Sequence, residues 1–90
     1  MKCVRIVIHG KVQGVFYRQY CVAEALRLRI IGYVKNLPDG TVEIIAQGDN
    51  NALQQLCEWC KIGSPRSKVD RIETFDLPLE KLDGFRIIKE

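Results

Sequence analysis

The sequence predicts an α+β fold in which two helices pack on one face of an antiparallel sheet. Three observations carry that expectation: two stretches repeat apolar residues at helical spacing, short β-branched stretches alternate around them, and segments bearing Gly, Pro or Asp mark the joins. In chain order these features read β, α, β, β, α, β with a short extra C-terminal strand.

Residues 3 to 8, "CVRIVI", put Val4, Ile6 and Ile8 on one face, and their β-branched density suits an interior strand. Tyr17, Cys21, Ala25 and Leu28 then recur at helical spacing, with Arg18, Gln19, Glu24 and Arg27 left for the wetter side, so a helix is expected over 17–28. Residues 30 to 36, "IIGYVKN", alternate again. The turn "LPDG" follows, with Pro38 presetting its geometry and Gly40 free to take a positive φ. Its return strand, "TVEIIAQ", places Val42, Ile44 and Ala46 on one face and Thr41, Glu43 and Gln47 on the other. A second helix is expected from an Asn50 or Asn51 cap to Ile62, ahead of "GSP". "KVDRIETF" reads as a poorly patterned strand and "GFRIIK" as a short one. This order is the split βαβ arrangement of ferredoxin-like domains. It runs the first two strands parallel with the third slotted antiparallel between them, so residues 10–18 and residues near 36 are expected to meet.

Ninety residues suffice for one domain with one core, expected over 1–90. A composition 47% hydrophobic and 28% charged excludes collagen-like, disordered and membrane classes. The opening "MKCVRIVIHG" carries Arg5 and no long apolar run, so it reads as neither signal peptide nor membrane span, and a cytoplasmic protein is expected. A reducing compartment keeps Cys3, Cys21, Cys57 and Cys60 as thiols. Leu53, Leu56, Cys57 and Cys60 fall at i, i+3, i+4 and i+7, which assigns the "CEWC" pair to the apolar stripe of a helix rather than to redox chemistry or a metal. Trp59, beside that pair, is expected to pack the second helix.

Formal net charge is +3 but uneven: residues 1 to 40 hold seven Lys or Arg against two acids, whereas residues 41 to 90 hold seven against nine. The first half therefore faces anions better, and its scattered cations suit a small anion at least as well as nucleic acid. Within it lies "GKVQGVFYR", residues 10–18, between a strand and a helix. Such a junction presents unpaired amides at the positive end of a helix dipole. Glycines at 10 and 14 allow those amides to turn inward as a nest, and Arg18 adds a fork of charged donors to the same anion. A strand-to-helix turn that uses glycine for geometry alone competes with this reading. No Gly-Lys-Ser or Gly-Lys-Thr follows, so the loop is not a nucleotide P-loop.

Two stretches together, "GKVQGVFYR" at 10–18 and "GYVKNLPDGTVEIIAQG" at 32–48, resemble the signature segments of the acylphosphatase family, and the order of elements agrees across nearly the whole chain. The resemblance implies hydrolysis of the carboxyl-phosphate anhydride of acyl phosphates, without metal or cofactor. It implies that Arg18 binds the phosphoryl group with the backbone amides of Gln13, Gly14, Val15, Phe16 and Tyr17. It further implies that Asn36 positions the attacking water and that Thr41 supplies a supporting hydroxyl. Two positions depart from the family pattern: Tyr17 stands where phenylalanine is usual, and Arg29 where a helix-ending glycine is common. The first adds a hydroxyl needing a partner or solvent, and the second requires either a left-handed arginine or a different helix end.

The small inventory suits the chemistry. A carboxylate leaving group has a conjugate acid of pKa about 4.3, so departure needs no general acid. His9 abuts the loop but lies across the strand from Ile6 and Ile8, and is read as a bystander. A small-molecule substrate and a monomer are expected. Rival readings are a non-catalytic phosphoryl-binding module and an RNA-binding module of the same element order. The first and third strands carry no aromatic on which to stack bases, which opposes the latter and favours no nucleic-acid partner.

Overall fold

The computed structural model describes residues 1–89; Glu90, the last residue of the expected domain, lies outside the described residues. Its elements are β1 (Lys2–Lys11), α1 (Tyr17–Arg27), β2 (Ile31–Asn36), β3 (Val42–Gly48), α2 (Asn50–Ile62), β4 (Lys68–Leu77) and β5 (Phe85–Ile88). They form one sheet in the order β4-β1-β3-β2-β5. All neighbours are antiparallel except β2 and β5, which run parallel. Among the described residues no helix is long and apolar enough to cross a membrane.

The helix-side core is built from the expected faces. Val4, Ile6 and Ile8 of β1 join Val42, Ile44 and Ala46 of β3 and Val34 of β2, covered by Cys21 and Ala25 of α1 and by Leu53, Leu56 and Cys60 of α2. Burial pushes the Cys60 thiol up to about 12 and raises Cys21 and Cys57 as well, which makes these sulfurs packing groups rather than nucleophiles. Asp49 occupies the N-cap position of α2, one residue before the expected asparagines.

The weak pattern of β4 has a local cause. His9 pairs with Arg71 and the next residue, Gly10, pairs with Val69, so β4 carries an extra residue at this bulge. Val69 and Ile72, three apart, consequently both pack against the core, and strict alternation fails. Gly10 belongs to this feature rather than to the loop beyond. At φ 130° it lies so close to β4 that a Cβ would stand 2.2 Å from the Lys68 carbonyl oxygen.

Among the described residues no helix covers the other sheet face, yet Cys3, Val7, Ile45 and Gln47 are buried there. Part of the cover comes from the connection between β4 and β5, edge strands on opposite sides of the sheet. The Gln47 carboxamide donates to the Glu80 carbonyl at 3.0 Å and accepts from its amide at 2.8 Å. Gly32 N–H then donates to the Gly84 carbonyl at 2.8 Å, which delivers the chain to β5.

Candidate active site

Residues 12–16 turn the chain from β1 into α1. Val12 and Val15 are buried and hold the loop down, while at Gly14, φ 75°, an added Cβ would meet nothing within 4 Å, so the glycine serves the turn by conformation alone. Phe16, the N-cap residue, takes φ 63° although bulky and largely exposed. A non-glycine residue in this region is strained by about 1–2 kcal/mol, and a strained exposed aromatic contributes little packing in return. Among the described residues no side chain caps this helix start, and its first turn contains no acid. The amides there are accordingly free for an external acceptor, with the positive end of the helix dipole behind them.

Three bonds fix the loop to its surroundings. Ser64, buried after α2, donates to the Val15 carbonyl at 2.8 Å. Gln13 Nε2 donates to the carbonyls of Leu37 and Thr41, each at 2.9 Å, and so joins the loop to the turn after β2. Tyr17 turns inward, and its hydroxyl donates to the Cys60 carbonyl at 2.8 Å, so the added oxygen has found a backbone partner at the end of α2. The same ring lies 5.0 Å from that of Trp59, with 53° between planes, and Trp59 thereby ties α2 to α1.

Arg18 and Asn36 line one open cleft of about 400 Å³ together with Ile88 and Lys89. Loop and strand end meet here because β1 and β2 run parallel on either side of β3. Ile88 and Lys89 were not legible as wall residues: "GFRIIK" shows a strand but not its partner. Parallel pairing of β5 with β2, with Lys35 opposite Ile88, carries both strands to the same sheet edge. Among the described residues, one guanidinium and one ammonium group and no carboxylate line the cleft, a lining that suits an anion. Asn36 Oδ1 is buried and, among the described residues, accepts no hydrogen bond.

Thr41 is buried, but among the described residues its hydroxyl makes no hydrogen bond to Asn36. Its Oγ1 and its amide both donate to Asp39 Oδ1, at 2.6 and 3.0 Å, and close the turn. These bonds hold the Asp39 carboxyl below its ordinary value. Any support Thr41 lends to Asn36 passes through the turn. His9 Nε2 lies 2.6 Å from Glu73 Oε1 across the β1–β4 pair, and this bond lowers the Glu73 carboxyl. Two grooves of about 470 and 580 Å³ flank α2, but each pairs its one cation with an acid, Lys2 with Asp76 and Arg27 with Glu24, and each also carries Glu58, so neither suits an anion as the Arg18 cleft does. Among the described residues no three His, Cys, Asp or Glu side chains converge as metal ligands.

Comparison with known proteins agrees with this layout. The acylphosphatase family profile matches residues 4–87. An acylphosphatase of Acaryochloris marina is 40% identical, over 97% of this chain and 94% of its own. The crystal structure of acylphosphatase from Bacillus subtilis superposes with a TM-score of 0.96 at 43% identity, over 99% of this chain and 100% of that one. A Coxiella burnetii acylphosphatase structure gives 0.93 at 34% identity, over 97% and 92%.

Proposed function

This chain belongs to the acylphosphatase family, and we propose that Arg18, Asn36 and the loop amides of residues 13–17 carry its reaction. That reaction is hydrolysis of the carboxyl-phosphate anhydride of an acyl phosphate. The phosphoryl oxygens sit against the amides of Gln13, Gly14, Val15, Phe16 and Tyr17, with the Arg18 guanidinium supplying two parallel charged donors. A water held by Asn36 attacks phosphorus in line with the departing oxygen. The new P–O bond forms as the bond to the acyl oxygen breaks, and the carboxylate leaves with the electron pair. Because carboxylate is a weak base, no acid assists it. Asn36 orients the water without taking its proton, which passes to a phosphoryl oxygen of the substrate.

The observation that best supports this reading is the convergence of Arg18 and Asn36 on one cleft, with Arg18 in the first turn of a helix whose start no side chain caps among the described residues. Charge grows on the phosphoryl oxygens in the transition state, where preorganised donors act, and removal of one such donor costs roughly 10²–10³ in rate. Benzoyl phosphate hydrolysis in chelator is the test. Arg18→Ala is expected to lose at least that factor in kcat/KM. Asn36→Ala is expected to lose about 10² in kcat while inhibition by inorganic phosphate stays near native. Native turnover in both variants overturns the assignment; a folded native chain without turnover leaves a phosphoryl-binding module. We read the chain as a cytoplasmic monomer. Its free cysteines suit a reducing compartment, and charged residues along the edge strand β4 oppose strand-to-strand association.

A further inference from the structure

We infer that the Gln13 side chain is a positioning residue, acting through Asn36; this rests on the roles proposed above for Asn36 and the loop. Nothing in the sequence separates Gln13 from its neighbours, which share its role as a backbone donor. In the structure its side chain does something those of its neighbours do not. Both acceptors of Gln13 Nε2 are backbone carbonyls, at 2.9 Å each, so the nitrogen rather than the oxygen must point at them. Those carbonyls belong to Leu37, which follows Asn36 directly, and to Thr41, at the far end of the same turn.

The turn's own bonds leave room for this clamp. Leu37 N–H donates to the Thr41 carbonyl at 2.9 Å, and Gly40 N–H to the Leu37 carbonyl at 3.1 Å. Each carbonyl has a second lone pair, and Gln13 fills both. The turn between them is exposed at Pro38, Asp39 and Gly40, without packing to stiffen it. Asn36 sits at its root with Oδ1 unpartnered among the described residues, so its orientation depends on how firmly its backbone is held. Pairing with Val42 of β3 holds that backbone on one side, and Gln13 adds a tie beyond the strand end from the loop that binds the phosphoryl group. One side chain thus sets the spacing between electrophile and water.

The test uses benzoyl phosphate turnover and inhibition by inorganic phosphate, with folding checked by circular dichroism and urea midpoint. Gln13→Met keeps length and removes the donors. Its kcat is expected to fall roughly ten- to hundredfold, as small misplacements of reacting groups do, while phosphate inhibition stays within about twofold. In an Asn36→Ala background the same substitution is expected to change kcat by less than about twofold, because its effect runs through Asn36. A native kcat for folded Gln13→Met overturns the inference. So does an equal loss in both backgrounds, or a parallel loss of phosphate inhibition, which marks a collapsed loop instead. If Gln13→Met fails to fold, Gln13→Asn, about 1.5 Å shorter but still an amide, is judged by the same outcomes. An unchanged kcat in Asn36→Ala alone refutes the reading of the site itself, and is thereby distinguished from failure of the clamp.

Discussion

Helix α1 begins and ends on a non-glycine residue in the left-handed region, Phe16 at φ 63° and Arg29 at φ 60°. The backbone is alike at both ends and the hydrogen bonding is not. Past the C-terminus, Ile30 N–H donates to the Ala25 carbonyl at 2.9 Å and Arg29 N–H to the Leu26 carbonyl at 3.1 Å, the paired closure of a Schellman motif. Ile30 itself is buried. That end is a stop, and its strain is met by bonds and packing within the fold. At the N-terminus Phe16 remains largely exposed and, among the described residues, no side chain accepts from the helix start. The same strain there leaves donors open to an outside anion. Strain alone therefore does not single out a binding end; the two ends differ in whether their hydrogen bonds are closed within the fold.

The comparison yields unequal effects on substitution. Loss of Arg18, beside the open end, has the largest expected effect on turnover. Next is Tyr17→Phe, which leaves the Cys60 carbonyl without its buried donor and is expected to cost about 1–2 kcal/mol of stability, read as a lower urea midpoint. Smaller and opposite in sign is Arg29→Gly. Relief of the left-handed strain, partly offset by added freedom in the unfolded chain, is expected to raise stability by about 0.5–1 kcal/mol. Benzoyl phosphate turnover is expected to stay native; a loss of turnover there would break the contrast between the two ends.

The smallest effect is pH dependence away from both ends. Asp39 and Glu73 are held below their ordinary carboxyl values by Thr41 and His9. Their folded forms therefore prefer the charge, so the stability they supply is complete above the ordinary values and is lost as pH falls through the lowered ones. Urea midpoints below about pH 4 should fall less steeply for Asp39→Ala than for the native chain. Parallel curves would mean that the turn gains nothing from that carboxylate.

Much of the fold was legible because its signals are local. The helix expected over 17–28 spans Tyr17–Arg27, and the second runs Asn50–Ile62 as its apolar spacing implied. Alternation in β1 and β3 named the core face correctly. Where reading failed, a neighbouring strand had intervened. Val69 and Ile72 share a face only because of the bulge opposite His9 and Gly10. Gln47 lies on the face away from the helices as expected, and Glu80 in the β4–β5 connection buries it there. Gly10 looked like part of the loop, but the close backbone of β4 accounts for it.

The order of elements, the two apolar helix faces and the glycine-bearing junction before Arg18 were determined by the sequence itself, since each depends on residues a few positions apart. Three features were decided only by the tertiary structure. Gln13 reaches across to Leu37 and Thr41, Lys89 arrives beside Asn36 through the parallel pairing of β5, and the Tyr17 hydroxyl finds the Cys60 carbonyl. Each joins residues more than twenty positions apart, and periodicity within one element carries no information about which distant group will complete a hydrogen bond or close a cleft.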